Sequence, residues 1–474
     1  MIERILDLLP VIDSILWGPW TMIFLAGVAV FFTLRTGFFQ IRGLPYILRN
    51  TVLAVGKKGA AKDAGSMTSF QAMATSLGGT VGMGNMAGVA TALSVGGAGA
   101  IFWMWALAFV GMMSKTVEIT LGVHYRETGE DGRLRGGPMY TIRRGLGWTP
   151  LAVLFSIGML INSLFASAML QSHTVGRAFL ASYGLNPYLV TGAMALVTAM
   201  VALGGVRRVG RVSGWMVPLM SVVYLVAGIA VLALNIDRVP EVLQTILTYA
   251  FTPTAGVGGA TGIAVATAIK QGMARGMLSN EAGLGTAPMV HAMAETDHPF
   301  EQGLWGAVEV FIDTIVICSI TAFAILSTGA MASGESGIEL LLIAFSAALP
   351  ASIAELVVSV SILTFCLTTQ IGFYLYFETC LVSLVGPKAF RTLRWIYFMP
   401  GVIFAGVADV DRLWVFANIT VAVVSIPNLF ALLFLSGVFM TLMKDRLSGR
   451  NQYATAEVDG TENVLRRGAV PSRP

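Results

Sequence analysis

The sequence predicts an all-α polytopic membrane protein, and three observations predict this fold class. Of the 474 residues, 55% are hydrophobic and only 12% are charged. The mean hydropathy of +0.76 leaves too little polar material to cover a soluble protein. Segments of about 20 apolar residues recur along the whole chain, each long enough to cross a hydrocarbon layer of roughly 30 Å.

The apolar segments predict about eleven transmembrane helices. They lie near residues 15–35, 66–96, 98–122, 149–176, 187–205, 211–235, 258–294, 302–329, 351–385, 389–407 and 412–442. Two amphipathic stretches, 38–56 and 240–252, are predicted to lie in the membrane interface. Residues 1–445 are thus one membrane domain, and the polar residues 446–474 are predicted to form a disordered cytoplasmic tail.

Basic residues cluster in alternate loops, which predicts the orientation of the chain in the membrane. The loop clusters are Arg35, Arg42, Arg49, Lys57, Lys58 and Lys62, then Arg126, Arg133, Arg135, Arg143 and Arg144, then Arg207, Arg208 and Arg211, then Lys388, Arg391 and Arg394. The loop at 295–301 is acidic and gives no guidance. The rest predict an outside N-terminus and a cytoplasmic C-terminus, which requires an odd number of spans.

The stretch TVGMGN, residues 80–85, interrupts one predicted span. Five glycines fall within eleven residues: Gly78, Gly79, Gly82, Gly84 and Gly88. Each glycine costs a helix interior about 1 kcal/mol relative to alanine. Close helix packing would place small residues on one face, whereas these fall on several faces. We therefore predict an unwound section that lines a polar cavity.

A second weak segment, IKQGMARGMLSNEAGLGTAP at 269–288, predicts a second broken helix. Its interrupting residues are Gly272, Gly276, Gly283, Gly285 and Pro288. With the helix 15–35 set aside as an extra N-terminal span, the broken helices are the first and sixth of ten. Two halves of five spans are inverted relative to each other, and we assign repeat one to 66–235 and repeat two to 258–442.

Several blocks of the chain resemble the alanine/glycine:cation symporter family, also called the sodium:alanine symporter family. The matching stretches are SFQAMATSLGGTVGMGNMAGVATALSVGGAGAIFWMW (69–105), RGGPMYTIRRGLG (135–147), RGMLSNEAGLGTAPMVHA (275–292), TDHP (296–299) and the segment 365–386. The resemblance implies amino-acid transport and a LeuT-type inverted-repeat fold.

The amino-acid head group is expected at the first break. The amides of Met83 and Gly84 begin a half-helix and could receive a carboxylate. Asn85 can donate or accept beside them and matches an asparagine of the family. Gln171 matches the family's glutamine that faces the substrate. The alternatives are that Asn85 only caps the half-helix and that Gln171 only bonds a neighbouring helix.

The coupling cation is expected beside the same break. Na⁺ prefers oxygen ligands, and the sequence LTTQ offers the adjacent hydroxyls of Thr368 and Thr369 within an apolar helix. Such threonines often only bond back to the preceding turn. The LeuT-type resemblance implies a Na⁺ site that combines these hydroxyls with the carbonyls of Gly78 and Val81. Thr369 could face the substrate instead.

Two departures from the family pattern bear on substrate size. Leu278 stands where the family usually has phenylalanine, and Phe373 where it usually has tryptophan. Both changes reduce bulk, so the pocket should hold a side chain somewhat larger than those of glycine and alanine.

Charged residues flank the second break. We expect Lys270, Arg275 and Glu281 to form a gate network toward the cytoplasmic end, with plain structural pairing as the alternative. Asp313 and Glu378 are weaker candidates. The histidines show no metal-ligand spacing, so Na⁺ is the only metal ion expected.

These features predict a secondary symporter that imports a small neutral amino acid with Na⁺. Proton-coupled symport is the main alternative, disfavoured because Glu281 is expected to lie beyond the pocket, and a channel is a weaker one. The sequence contains no GxSxG or HExxH motif, so we expect no enzyme activity. We expect no cofactor besides Na⁺, no nucleic-acid partner, and function as a monomer.

Overall fold

The computed structural model describes residues 2–56, 66–252, 261–405, 410–450 and 453, and these residues are mostly helical. The α-helices are α1 (Ile2–Leu16), α2 (Pro19–Arg35), α3 (Phe39–Arg42), α4 (Leu44–Asn50), α5 (Ser69–Thr80), α6 (Val89–Gly96), α7 (Gly99–His124), α8 (Pro138–Thr141), α9 (Thr149–Ile161), α10 (Ala168–Tyr183), α11 (Pro187–Ala202), α12 (Val206–Leu234), α13 (Val239–Tyr249), α14 (Thr261–Asn280), α15 (Ala287–His291), α16 (Pro299–Val310), α17 (Ser319–Thr328), α18 (Gly337–Ala348), α19 (Ala351–Leu393), α20 (Met399–Ile403), α21 (Val410–Phe434) and α22 (Ser436–Leu447).

Shorter elements join or interrupt these helices. π-helical turns lie at Gly84–Gly88, Ile142–Leu146, Asn162–Ser167 and Phe311–Cys318, and 3₁₀ turns at Val52–Ala54, Ile236–Arg238, Ala330–Ser333 and Arg394–Phe398. Strands β1 (Glu127–Thr128) and β2 (Leu134–Arg135) pair antiparallel in the loop after α7.

Among the described residues, seven helical segments are long and apolar enough to cross a membrane. They are Leu8–Arg35, Gly99–His124, Thr149–Tyr183, Val206–Leu234, Pro299–Thr328, Ala351–Ile403 and Trp414–Phe434. The helices Pro187–Ala202 and Gly337–Ala348 are apolar but shorter. The prediction of a helical polytopic membrane protein is therefore confirmed, whereas the number of crossings stays a prediction.

Both predicted breaks are present, although not every glycine contributes to them. The first helix leaves helical geometry only at Val81 and Gly82. The second continues through Gly272 and Gly276 and ends at Asn280. A Cβ at Gly272 would lie 2.2 Å from the Ala100 carbonyl oxygen, so this glycine allows close contact with α7 and does not break the helix.

Three boundaries differ from the predictions. The predictions did not include α1, which packs against α21. The predicted span 412–442 is divided at Leu435 into α21 and the separate helix α22. Helix α22 continues to Leu447, into the predicted disordered tail, and the rest of that tail beyond residue 450, apart from Tyr453, lies outside the described residues.

The broken helices occupy the interior of the molecule. Residues 72–90 are all buried. Helix α5 packs against α12 and α19, while α7 packs against α14 and α16. Polar groups freed by the two breaks are therefore enclosed by protein, the condition under which irregular backbone is tolerated at membrane depth.

Candidate functional site

The first break brings backbone groups and side chains together. After α5 ends at Thr80, Val81 adopts an extended conformation (φ −73°, ψ 97°). The Gly82 N–H donates to the side-chain oxygen of Asn85 at 2.9 Å, which satisfies an amide that the unwound section would leave unpaired. A Cβ at Gly82 would lie 2.5 Å from Thr369 Oγ1, so the lack of a side chain permits this approach.

Thr369 connects α19 to the break. Its Oγ1 lies 3.1 Å from the Gly78 carbonyl oxygen and 3.3 Å from that of Val81. The hydroxyl can donate its proton to Phe365 O at 3.0 Å, which leaves oxygen lone pairs on the side of the two carbonyls. Three oxygens of this kind suit a hard monovalent cation.

Thr368, the other predicted hydroxyl, has different partners. Its Oγ1 lies 2.9 Å from Phe365 O and 3.1 Å from Thr364 O, both on its own helix, and 3.4 Å from Met220 Sδ. It bonds to the preceding turn, as threonines in helices commonly do. The hydroxyl of Thr369 therefore contacts the Gly78 and Val81 carbonyls, whereas the hydroxyl of Thr368 contacts its own helix and Met220.

A cavity of about 40 Å³ adjoins these oxygens. Its lining is Gly79, Thr80, Met83, Gly84, Asn162, Ser167, Leu170, Gln171, Leu278, Glu281, Leu284, Thr369, Phe373, Ala417 and Val421. Six of the seven predicted substrate residues are among them: Met83, Gly84, Gln171, Leu278, Thr369 and Phe373. The volume accommodates a few water molecules, so the walls must separate to admit an amino acid.

Gln171 holds the start of the second half-helix. Its side-chain oxygen accepts the Met83 N–H at 3.2 Å. The Met83 amide, expected to receive a carboxylate, is thus paired with Gln171 in this conformation. The same contact leaves the Gln171 amide group at the cavity, where it can act as a donor.

Asn85 does not line the cavity. Its Nδ2 donates to Asp313 Oδ1 at 2.7 Å, and Asp313 also accepts from Ser279 at 2.7 Å and from Thr314 at 2.8 Å. Asn85 therefore ties the first break to the π-helical turn that contains Asp313. These contacts agree with the capping alternative more closely than with direct substrate contact.

The second break is held by a carboxylate from α7. Glu281, Gly283 and Gly285 have positive φ angles of 54°, 91° and 88°, and the two glycines adopt this geometry without the strain of a side chain. Glu118 Oε2 accepts the Gly283 N–H at 3.1 Å and also the Asn428 amide at 3.1 Å. The Glu281 carboxyl accepts from Thr286 at 2.6 Å.

A buried ion pair behind the second break was missed in the sequence. Lys115 Nζ donates to Asn280 O at 2.7 Å and lies 3.2 Å from Glu309 Oε2, and both side chains are fully buried. Glu309 also contacts His291 Nε2 at 2.6 Å and accepts from Ser76 at 2.9 Å. Charged residues inside predicted spans were the signal that could have identified this cluster.

The predicted gate residues are not brought into one network. Glu281 lines the cavity, whereas the Arg275 guanidinium stacks on the Trp414 ring at 4.1 Å. Arg126, from a basic loop, donates to Ala294 O at 2.6 Å. The chain after the second break thus lies beside the basic loops. Arg275 and Lys270 precede the break and lie toward the other end of the molecule. Which end faces the cytoplasm stays a prediction.

Several known proteins are similar to this chain in sequence. The sequence profile described as the sodium:alanine symporter family matches residues 2–459. The sodium/alanine symporter AgcS of Methanococcus maripaludis is 38% identical over 92% of this chain and 96% of its own. The probable sodium/glutamine symporter GlnT of Bacillus subtilis is 34% identical over 94% and 91%.

One relative and one solved structure add detail. The putative sodium/proton-dependent alanine carrier protein YrbD of Bacillus subtilis is 38% identical over 68% of this chain and 64% of its own. A crystal structure of a manganese transporter from Eremococcus coleocola is similar in fold, with a TM-score of 0.50, 12% identity and 74% of each chain covered.

Proposed function

The chain belongs to the sodium:alanine symporter family, Na⁺-coupled amino-acid symporters rather than enzymes, and we propose that it imports a small neutral amino acid with Na⁺ by alternating access. The observation that carries this proposal is the meeting of Thr369 Oγ1 with the carbonyls of Gly78 and Val81 beside a cavity lined by Gln171. A cation ligand set and a head-group donor thus share one break.

In this proposal Na⁺ binds to the Gly78 and Val81 carbonyls and Thr369, with Thr368 as a supporting neighbour. The substrate carboxylate approaches the start of the half-helix at Met83 and Gly84, where the partial positive charge favours an anion. Donation from the Gln171 amide supports the same placement.

We propose the LeuT-type arrangement for the whole chain. Eleven spans would comprise the extra helix 15–35 and two inverted repeats of five, with an outside N-terminus and a cytoplasmic C-terminus. Support comes from the two breaks, each of which packs in part against helices of the other half, and from the basic loops near one end of the molecule. A monomer is the proposed functional unit.

The side-chain slot is proposed to lie at Leu278 and Phe373. Both line the cavity, and both are smaller than the residues usual in the family, so a substrate larger than alanine is favoured. A methylene in an apolar pocket changes affinity by about 1–3 kcal/mol, which shifts preference without excluding alanine.

Proton-coupled symport is a second candidate, and one observation favours it. The sequence argument against it placed Glu281 beyond the pocket, whereas the structure has Glu281 in the cavity lining. A carboxyl group there could carry a proton across with the substrate.

Uptake into proteoliposomes distinguishes these candidates. Labelled L-alanine, glycine and L-glutamine would be presented with an imposed Na⁺ gradient, with K⁺ in its place, or with a pH gradient alone. We expect concentrative uptake only with Na⁺, and Glu281→Gln should retain it. Uptake driven by the pH gradient and lost in Glu281→Gln would establish the proton-coupled alternative, and uptake indifferent to Na⁺ would contradict the cation site.

A further inference from the structure

A second cavity lies on the side of the first break away from the basic loops. Its volume is about 430 Å³, and we call it the vestibule. Residues that line it include Ala87, Thr174, Arg275, Glu335, Trp414 and Asn418.

A contact between wall residues links the vestibule to the central cavity. Thr174, in the vestibule wall, contacts Met83 Sδ at 3.6 Å through its hydroxyl. Met83 in turn lines the central cavity. One layer of side chains therefore separates the two spaces, and a solute in the vestibule is next to the proposed transport site.

Arg275 is the unusual residue of the vestibule. The residue is only 8% exposed. Within the described part of the chain, neither its Nε nor its Nη1 has a hydrogen-bond acceptor. Asp13 of α1 is the acid whose charge acts on it. Unpaired buried guanidinium N–H groups are costly.

The Trp414 ring fixes the orientation of this guanidinium. Stacking at 4.1 Å holds the planar group against the ring face, and its edge carries the N–H donors. Such an edge matches a carboxylate, which accepts two parallel hydrogen bonds. The exposed carboxylate of Glu335 in the same cavity complements an ammonium group.

We propose that the vestibule is an encounter site for zwitterionic amino acids, in which Arg275, stacked on Trp414, binds the substrate carboxylate before the substrate reaches the central cavity. The inference rests on the proposed amino-acid import. The vestibule differs from the proposed transport site in its chemistry. It binds the amino-acid head group without a cation and without a pocket that fits the side chain.

The test is equilibrium binding of labelled L-alanine to the purified full chain in K⁺ buffer without Na⁺. We expect saturable binding of the label. The concentration of unlabelled L-glutamine that displaces half of it should be within about threefold of the concentration of unlabelled L-alanine that does so. L-alaninamide, which lacks the carboxylate, should displace the label at least about tenfold less well, the usual effect of losing a charge-assisted hydrogen-bond pair.

Matched arginine variants identify the donor. Arg275→Gln should weaken binding at least about tenfold, while Arg275→Lys, which keeps the charge but not the planar fork, should lie between it and the wild type. Arg238→Gln is the control, since Arg238 is not among the residues that line the vestibule and its guanidinium already donates to Ser327 O at 3.1 Å. It should change binding less than threefold. Thermal unfolding of each variant reports whether it is folded.

Three results would overturn the encounter site: no alanine binding in K⁺, equal displacement by alaninamide, or unchanged affinity in Arg275→Gln. The import proposal is tested separately by uptake. If uptake were indifferent to Na⁺ while Arg275-dependent binding in K⁺ persisted, only the cation assignment would fail. In uptake assays Arg275→Gln should raise KM with little change in kcat, the pattern of a residue that acts before the transport step.

Discussion

Thr368 and Thr369 are adjacent in sequence, yet their hydroxyls serve different purposes. Thr369 Oγ1 faces the Gly78 and Val81 carbonyls, and Thr368 bonds to its own helix and to Met220. The sequence offered both residues as cation ligands. It could not separate them, because the direction of a side chain depends on how the helix is rotated against its neighbour.

The two threonines therefore give a matched pair of variants. Thr369→Val removes the proposed ligand oxygen at constant shape, and a hydrogen bond to a charged group is worth about 1.5–3 kcal/mol. We expect the Na⁺ concentration for half-maximal uptake to rise about tenfold or more. Thr368→Val should raise it less than threefold, and equal effects in the two variants would remove Thr369 from its proposed role.

Asp131 in the hairpin after α7 provides a residue-scale prediction about pH. Bidentate hydrogen bonds of 2.6 Å from Arg135 lower the pKa of the Asp131 carboxyl below its usual range, against a smaller effect of burial that raises it. Because the folded pKa is depressed, the pair stabilises the protein above the unfolded pKa of about 3.9, and this contribution is lost as the pH falls further.

Asp131→Asn should thus lower the melting temperature at pH 7 and have a smaller effect near pH 3. The carboxylate is partly exposed, so solvent screening limits the loss to about 1 kcal/mol or less. Glu130→Gln, an equal charge change at an exposed neighbour, is the control. A larger destabilisation by Asp131→Asn at pH 3 than at pH 7 would contradict this assignment.

At the scale of elements, the broken helices show how glycine can serve two purposes. Gly82 lies in the unwound section, whereas Gly272 and Gly276 lie within a continuous helix against α7. Glycine density correctly predicted that both helices break. It could not show which glycines break the helix, since a close helix contact and a break require the same small residue.

Two alanine substitutions in the first broken helix separate these roles. A Cβ at Gly82 would lie 2.5 Å from Thr369 Oγ1 and 3.1 Å from Gln171 Oε1, whereas the nearest atom to a Cβ at Gly88 is 3.8 Å away. Gly82→Ala should displace both side chains and reduce Na⁺-dependent uptake at least about tenfold, the effect of about 1.4 kcal/mol. The Gly88→Ala variant should transport nearly as the wild type does. Similar losses of uptake in the two variants would contradict a special role of Gly82 beside Thr369 and Gln171.

At the second break, the sequence alone did not identify the charged residues that contact the broken segment. Lys270, Arg275 and Glu281 attracted attention because they flank the glycines, while Lys115, Glu118 and Glu309 lie on other helices. Their side chains meet the break only through tertiary packing, of α7 against the break and of α16 against α7. Sequence proximity therefore found the break but not the groups that hold it.

For the whole molecule, composition and apolar periodicity were enough to predict a helical membrane protein. Boundaries were less predictable, as the division at Leu435 shows, because α22 follows α21 after a single residue. The full lining of the cavity could not be predicted from the sequence either, since it includes residues as far apart in the chain as Gly79 and Val421. The half-helix argument and the motif resemblance, not periodicity, supplied the six lining residues that the sequence predicted as substrate residues.

Transport by the whole molecule should be electrogenic. A zwitterion that crosses with one Na⁺ carries one net charge, and a potential of 100 mV, negative inside, adds about 2.3 kcal/mol per charge. Uptake into proteoliposomes should therefore rise when a K⁺ diffusion potential makes the interior negative. Replacing the K⁺ gradient with equal K⁺ on both sides is the control, and uptake unaffected by the potential would rule out net movement of one cation per zwitterion.

The orientation of the molecule can be tested with single cysteines, because its own cysteines are well placed for the experiment. Cys318, Cys366 and Cys380 are buried, so a membrane-impermeant maleimide should not label the wild type in intact cells. Ser333 and Ser448 are exposed and lie in the loop after α17 and at the end of α22, which are predicted to face opposite sides.

We expect Ser333→Cys to be labelled in intact cells and Ser448→Cys only after permeabilisation. The serine-to-cysteine change is nearly isosteric in both variants, and retained uptake would show that each is folded. The reverse labelling pattern would invert the proposed orientation. Arg275 and the vestibule would then face the cytoplasm, and the encounter site would receive substrate on its way out of the cell.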